Sequence, residues 1–206
     1  MDSKDVENEN RMMLSPSLTV QACLNFGSNE SMKSELLNLI KEKALKKGKV
    51  VLSSGKESSY YIDLRTITLD PKGAYLTAKI FIEKLKKDKF NSIGGLTLGA
   101  DPICGAVAAL SYADGYPVGA FIVRKEEKKH GMQKLIEGSI KRDSSVVIVD
   151  DVITTGGSIL KAISAVEDLG CRVVKVLAIV DRLEEKKEDL KKYNVEAIFT
   201  IKEILE

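Results

Sequence analysis

The chain has no tryptophan, one histidine and only 5% aromatic residues. So few rings leave little surface on which nucleic-acid bases could stack. Charge of one sign is also scarce: 32 Lys and Arg stand against 30 Asp and Glu, for a net +2. Without a basic excess, nucleic acid is not expected as a partner. The three cysteines, Cys23, Cys104 and Cys171, lie far apart with no CxxC pair. Their spacing fits no zinc site, and an odd, scattered count fits free thiols in a reducing compartment. No apolar run reaches the ~18 residues of a membrane span. The first residues are acidic, with Asp2, Asp5, Glu7 and Glu9 against Lys4 and Arg11. A secretory n-region would be basic, and a transit peptide would be rich in arginine. A cytoplasmic protein with no membrane contact is therefore expected. Two common phosphate motifs, GxxxxGK[ST] and GxGxxG, are missing too.

What is present is enough for one domain with a core: 206 residues, 44% of them hydrophobic. Residues 1 to 31 are polar and rich in asparagine and serine, and they carry no helical or strand period, so a disordered extension is expected. An alternating pattern begins at Met32. Helical spacing covers 32 to 47, with Ser31 as N-cap and Gly48 as stop. Short strands and turns are expected over 49 to 64, and a helix opened by Pro71 over 71 to 87. Strands follow at 92–98, 117–124, 145–150, 173–181 and 195–201. Helices are expected at 102–113, 158–169 and 184–192, with a long charged connection over 125–143. Strands that are apolar throughout and alternate with helices predict an α/β fold with a parallel sheet flanked by helices on both faces. Ligands of such sheets bind at the carboxyl ends of the strands. That rule gathers Gly95 to Asp101, Arg124 onward, Asp150 onward and Asp181-Arg182 on one rim.

One stretch on that rim is chemically explicit: VVIVDDVITTGGS, residues 146 to 158. A buried strand ends on two adjacent carboxylates, which must face solvent, a metal or hydroxyl donors. Vicinal ribose hydroxyls suit Asp150 and Asp151, because each carboxylate oxygen accepts a hydrogen bond. Thr154, Thr155 and Ser158 offer hydroxyls, while Gly156 and Gly157 let successive N–H groups converge before a helix N-terminus. Together they describe a site for a ribose 5-phosphate, and the bland alternative is an acidic strand end followed by a helix cap.

This stretch resembles the donor-binding motif of the type I phosphoribosyltransferases, which use 5-phosphoribosyl-1-pyrophosphate (PRPP). The resemblance implies that Asp150 and Asp151 hold the ribose hydroxyls. It implies that the run Val152, Ile153, Thr154, Thr155, Gly156, Gly157 and Ser158 surrounds the 5-phosphate. A second stretch, FIVRKEEKKHG (121 to 131), reads either as a solvated charge run or as a basic lid hinged at Gly131. It is similar to the mobile loop of the orotate phosphoribosyltransferases, V-R-K-x-x-K-x-H-G. That similarity gives Arg124, Lys125, Lys128 and His130 to the pyrophosphate, with Lys128, His130 and Asp151 as the catalytic set. Lys129 falls where an acid is often seen. LSSGKESSYYIDLR (52 to 65) resembles the same enzymes' amino-terminal hood, and Ser53 stands where some members carry a lysine. Tyr60 and Tyr61 read equally as core. AIVDRLEE (178 to 185) puts Arg182 beside the base with Thr154, and a planar carboxylate suits arginine; a surface ion pair is the alternative for Arg182. GLTLGADPICGA (95 to 106) resembles the loop beside the pyrophosphate, with Gly99 where some members carry a lysine.

The resemblance spans about residues 32 to 205. It implies a type I phosphoribosyltransferase-like fold with a small hood (about 32–70) on a core (about 71–206). It also implies orotate and PRPP as small-molecule substrates, Mg2+ held mainly by substrate pyrophosphate and ribose with no dedicated protein metal ligands, and a homodimer sharing its catalytic loop. Transfer to another base, or a donor-binding regulator on the same fold, would keep the donor motif.

Overall fold

The computed structural model describes residues 28–51, 57–126 and 135–206. Of the disordered extension expected over residues 1 to 31, residues 1 to 27 lie outside them, while Asn29 to Ser31 are helical instead. The first helix, α1 (Asn29–Lys43), buries Met32, Leu36 and Ile40, spaced four apart along one face. It is preceded by Ser28, whose side chain makes no capping bond, so Ser31 is a helical residue and not the cap. The expected run to residue 47 is also cut short. Leu45 opens strand β1 (Leu45–Val51), which pairs antiparallel with β2 (Glu57–Ile62). Lys46 and Lys47 face Tyr61 and Tyr60 in this ladder. The ladder takes the backbone groups that about one more helical turn would have used. Gly48 lies inside β1 at φ +138, where the register shifts, and does not cap the helix. These two strands are a separate small sheet, the hood.

A single turn, α2 (Arg65–Thr68), leads into α3 (Pro71–Leu85). Asp70 caps α3 by accepting from the N–H groups of Lys72 and Gly73, and Pro71 takes the first helical position, where no N–H is needed. The main sheet contains β3 (Ser92–Leu96), β4 (Gly119–Val123), β5 (Ile136–Gly138), β6 (Ser145–Ile153), β7 (Arg172–Asp181) and β8 (Val195–Thr200). Its order is β5-β4-β3-β6-β7-β8, and every pair is parallel except β4 with β5. The antiparallel edge strand β5 lies within the expected long connection; three residues are too short to show an alternation. Helices α4 (Ala100–Ala113) and α5 (Gly157–Glu167) follow β3 and β6, and the last turn, α6 (Ile201–Leu205), follows β8. The helix expected at 184–192 is only a 3-10 turn over Glu188–Lys192. Leu183 takes φ +57, and Lys187 donates its backbone N–H to Thr155 O at 3.0 Å, which bends this segment away from a helix and onto the turn after β6.

Strand β6 explains the layering. Val147 and Val149 belong to one buried cluster, with Leu36, Phe81, Ile103 and Leu177. Val146 and Ile148 belong to the other, with Phe121, Ile159, Ile163 and Val176. Successive side chains of a strand point to opposite faces, so an unbroken apolar run needs cover on both. The β3 and β6 strands are parallel neighbours, but the strand that follows each lies on the opposite side, β4 beyond β3 and β7 beyond β6. Their shared edge is the topological switch point, where a crevice opens above the strand ends.

Candidate active site

The crevice above β3 and β6 is a cavity of about 300 Å3 lined by Tyr61 to Arg65, Leu96 to Gly99, Lys125, Asp150 to Val152, and Ser158. Three elements of the fold thus meet the acid pair: the end of the hood, the loop after β3 and the start of the basic stretch. β6 runs past both aspartates to Ile153, three residues beyond its expected end. Asp150 is 7% exposed and Asp151 is half-buried. Each acid accepts from the next backbone N–H: Asp151 N–H to Asp150 Oδ1 at 3.0 Å, and Val152 N–H to Asp151 Oδ1 at 2.8 Å.

That is thin compensation for two carboxylates. Burial, and then the charge of Asp151, pushes the Asp150 carboxyl above its ordinary range. Burial raises Asp151 as well, against the lowering effect of the Val152 N–H and the more distant Arg65. Such a pair favours an incoming hydroxyl donor or cation, which would restore both charges. The loop after β3 presses on it. A Cβ on Gly99 would stand 2.6 Å from Asp150 Oδ1 and 2.8 Å from Asp151 Oδ1. This is a physical reason for glycine here. Thr97 Oγ1 donates to Asp101 Oδ2 at 2.7 Å, which ties the loop to the first turn of α4.

Beyond β6 the chain turns into α5 through Gly156, which takes the left-handed conformation at φ +84 and meets Leu190 at its back. A side chain at Gly157 would find only the ends of Lys187 and Thr155 near 4 Å, so the cradle in front of the α5 N-terminus stays open. An adjoining cavity is lined by Lys125, Gly157, Ser158, Lys161 and Lys187, among others. Lys187 and Lys161 were not singled out from sequence; nothing local distinguishes them from the other lysines of a chain rich in them.

The other expected site residues are distributed as follows. Lys125, Asp150, Asp151, Val152 and Ser158 line one cavity, and Gly157 lines the next. Ile153 is buried, and its carbonyl accepts from the Arg182 N–H at 2.9 Å, which joins the ends of β6 and β7. Thr154 and Thr155 lie on the turn between β6 and α5. Arg124 lies 3.6 Å from Glu137 across the β4–β5 pair and does not line the acid-pair cavity. The Arg182 guanidinium lies 5.4 Å from the Tyr60 ring centroid. Its Nε approaches Glu184 to 3.3 Å without hydrogen-bond geometry and is buried, so the side chain is stacked but still has donors to give. Tyr60 and Tyr61 are half-buried, and Tyr61 lines the cavity. Lys128 and His130 lie outside the described residues, as does Ser53. Among the described residues no group of three or more acidic, histidine or cysteine side chains gathers to hold a metal ion. No helix among them is long and apolar enough to cross a membrane.

An acid pair at the end of a parallel strand, one member buried, running into an open glycine turn at a helix N-terminus, defines a class of protein. The family model described as "Phosphoribosyl transferase domain" matches residues 94–204. The orotate phosphoribosyltransferase of Aquifex aeolicus is 43% identical over 178 residues, covering 84% of this chain and 97% of its own. That of Streptomyces coelicolor is 46% identical over 151 residues, covering 73% and 83%. The solved structure of the Mycobacterium tuberculosis orotate phosphoribosyltransferase in complex with PRPP superposes with a TM-score of 0.71 at 34% identity, covering 85% of this chain and 99% of that one. The chain belongs to the orotate phosphoribosyltransferase family.

Proposed function

We propose that the chain transfers the 5-phosphoribosyl group of PRPP to orotate, giving orotidine 5-monophosphate and pyrophosphate. The observation that carries this reading is the Asp150-Asp151 pair facing one cavity, in line with the open cradle at Gly157 and Ser158. The reaction needs no protein nucleophile. The bond from ribose C1 to pyrophosphate breaks with its electron pair leaving on the pyrophosphate. The orotate ring nitrogen supplies the pair for the new bond to C1 and gives up its proton to water. Positive charge on the ribose and negative charge on the leaving group must both be met, so catalysis is positioning plus electrostatics. Asp150 and Asp151 orient the ribose through its hydroxyls, and their ionised forms favour the positive ribose. The turn from Thr154 to Ser158 holds the 5-phosphate. Arg182, stacked on Tyr60, presents guanidinium donors to the orotate carboxylate. Arg124, Lys125, Lys128 and His130 neutralise the pyrophosphate.

Magnesium fits this donor set. It would be held mainly by the pyrophosphate and ribose oxygens of the substrate and by water, with Asp150 and Asp151 acting on the ribose hydroxyls beside it and no dedicated protein ligand. The ion, when bound, supplies positive charge beside the pyrophosphate. The chain is further proposed to act in the cytoplasm as a homodimer whose basic loop reaches the neighbouring subunit's site.

The first experiment mixes protein, orotate, PRPP and magnesium and follows the loss of orotate absorbance, with adenine, hypoxanthine and uracil in parallel. Turnover with orotate alone establishes the acceptor. Turnover with another base overturns the role of Arg182, and donor binding without turnover replaces the enzyme by a regulator. Lys128→Ala is expected to lower kcat by about 100-fold with a smaller effect on PRPP affinity, because its contact matters most as charge develops. Equal activity removes that role. For the shared site, Asp151→Asn and Lys128→Ala chains, each inactive alone, are mixed. Partial recovery of activity is expected, and its absence overturns the shared loop.

A further inference from the structure

A departing pyrophosphate needs cations on several sides, and the cavity supplies them unevenly. This argument rests on the reaction proposed above. Asp150 and Asp151 already place negative charge beside the leaving group. The loop after β3 brings no cation: its cavity residues are Leu96, Thr97, Leu98 and Gly99. No side chain can be added at Gly99 without displacing the acids. Among the described residues of this cavity, only Lys125 and Arg65 are cationic. Lys125 belongs to the basic stretch already assigned to pyrophosphate; Arg65 has no role assigned.

Arg65 is built as a fixed donor. Asp63 accepts from its Nε at 2.9 Å and from its Nη2 at 2.9 Å, a two-point fork that sets the plane of the guanidinium. Asp63 Oδ1 also accepts from the Arg65 backbone N–H at 3.1 Å. The neighbouring Leu64 and Ile67 are buried at 1% and 0% exposure and anchor the segment in the core. The fork uses two of the five guanidinium N–H donors. The other three make no hydrogen bond to a described residue, and the side chain is about half exposed. An arginine held in this way has lost most of its rotamer freedom before any ligand arrives, so a ligand that it meets costs less to order.

We infer that Arg65 is a further substrate-binding residue, donating from the hood to the pyrophosphate of PRPP, with Asp63 as its positioning residue. It supplies from the hood side a cation that the loop after β3, with Gly99 beside the acids, does not carry.

The test uses the full chain with Arg65→Gln, Arg65→Lys and Asp63→Asn. Pyrophosphate binding with magnesium is titrated calorimetrically, and KM values are measured in both directions. Arg65→Gln is expected to weaken pyrophosphate binding and raise the KM for PRPP by about tenfold, the loss of one charge-assisted contact. The KM values for orotate and orotidine 5-monophosphate should move by less than about twofold, and melting should stay within about 2 °C of the parent. Arg65→Lys and Asp63→Asn should fall between parent and Arg65→Gln, since each keeps the cation but loses the fork. Unchanged pyrophosphate affinity, or equal losses for orotate and PRPP, overturns the assignment. The calorimetric titration needs no acceptor. Arg65-dependent pyrophosphate binding in a chain that does not turn over orotate would therefore uphold Arg65 and refute the acceptor.

Discussion

Asp150 carries a stability cost at the place where the ribose is proposed to bind. An acid whose folded-state pKa lies above its unfolded value holds more protons folded than unfolded. Stability then falls as pH rises from the ordinary carboxylate range through the raised one. Asp150 is such an acid, raised by burial and by Asp151. Asp150→Asn keeps the oxygen that accepts from the Asp151 N–H but cannot ionise. The unliganded variant is expected to melt above the parent at pH 8, with the gap closing as pH falls toward the ordinary value of 3.8. Turnover should drop by about 100-fold or more, because the ribose loses its fixed orientation. A gap that is the same at both pH values would show that burial of charge is not the cause. This residue was legible in sequence because a carboxylate pair at the end of an apolar strand has few bland explanations. Arg65 was not, since its meaning lies in the cavity that it shares with Asp150 and Asp151.

At the scale of elements, β3 is shaped by backbone approach. A Cβ on Gly95 would meet the Val149 carbonyl oxygen at 2.0 Å, and backbone on β6 cannot rotate away as a side chain can. Gly95→Ala is expected to destabilise the protein by about 1–3 kcal/mol and to weaken PRPP binding, because β3 and β6 frame the crevice. Gly105, in the middle of α4, has nothing within 4 Å of its Cβ position and ordinary backbone angles. Gly105→Ala should stabilise by roughly 0.5–1 kcal/mol through helix propensity. Urea unfolding of the two variants checks both signs, and a Gly95→Ala chain as stable as its parent would refute the close approach. The two glycines look alike in sequence. The same limit explains α1, whose strong helical pattern continued into residues that pair with β2 instead.

For the whole molecule, the two ends of the sheet have different work. The carboxyl ends of β3, β4 and β6 open into the crevice. Near the other end, Lys175 on β7 is 8% exposed and bridges Asp88 at 2.8 Å and Glu196 at 3.2 Å, while Lys84 of α3 joins Glu196 at 3.3 Å. This network ties α3 and the turn after it to β7 and β8. Lys175→Ala leaves two carboxylates without their shared cation. It is expected to lower the melting temperature by several degrees and to leave kcat and both KM values within about twofold. Altered KM values would show that strain passes through the sheet to the rim.

The sequence by itself determined the α/β class, the positions of the main strands along the chain, the acid pair and the glycine turn after it. Those features are local: unbroken apolar strands, a carboxylate doublet and a Thr-Gly turn each carry their physical reason within a dozen residues. The tertiary structure alone decided what meets the acid pair. The antiparallel edge strand β5 depends on a partner beyond its own three residues. The collapse of the 184–192 helix onto Thr155, the stacking of Arg182 on Tyr60 and the arrival of Arg65 at the cavity depend on partners distant in sequence. Packing across the sheet sets those distances, and no local propensity encodes them.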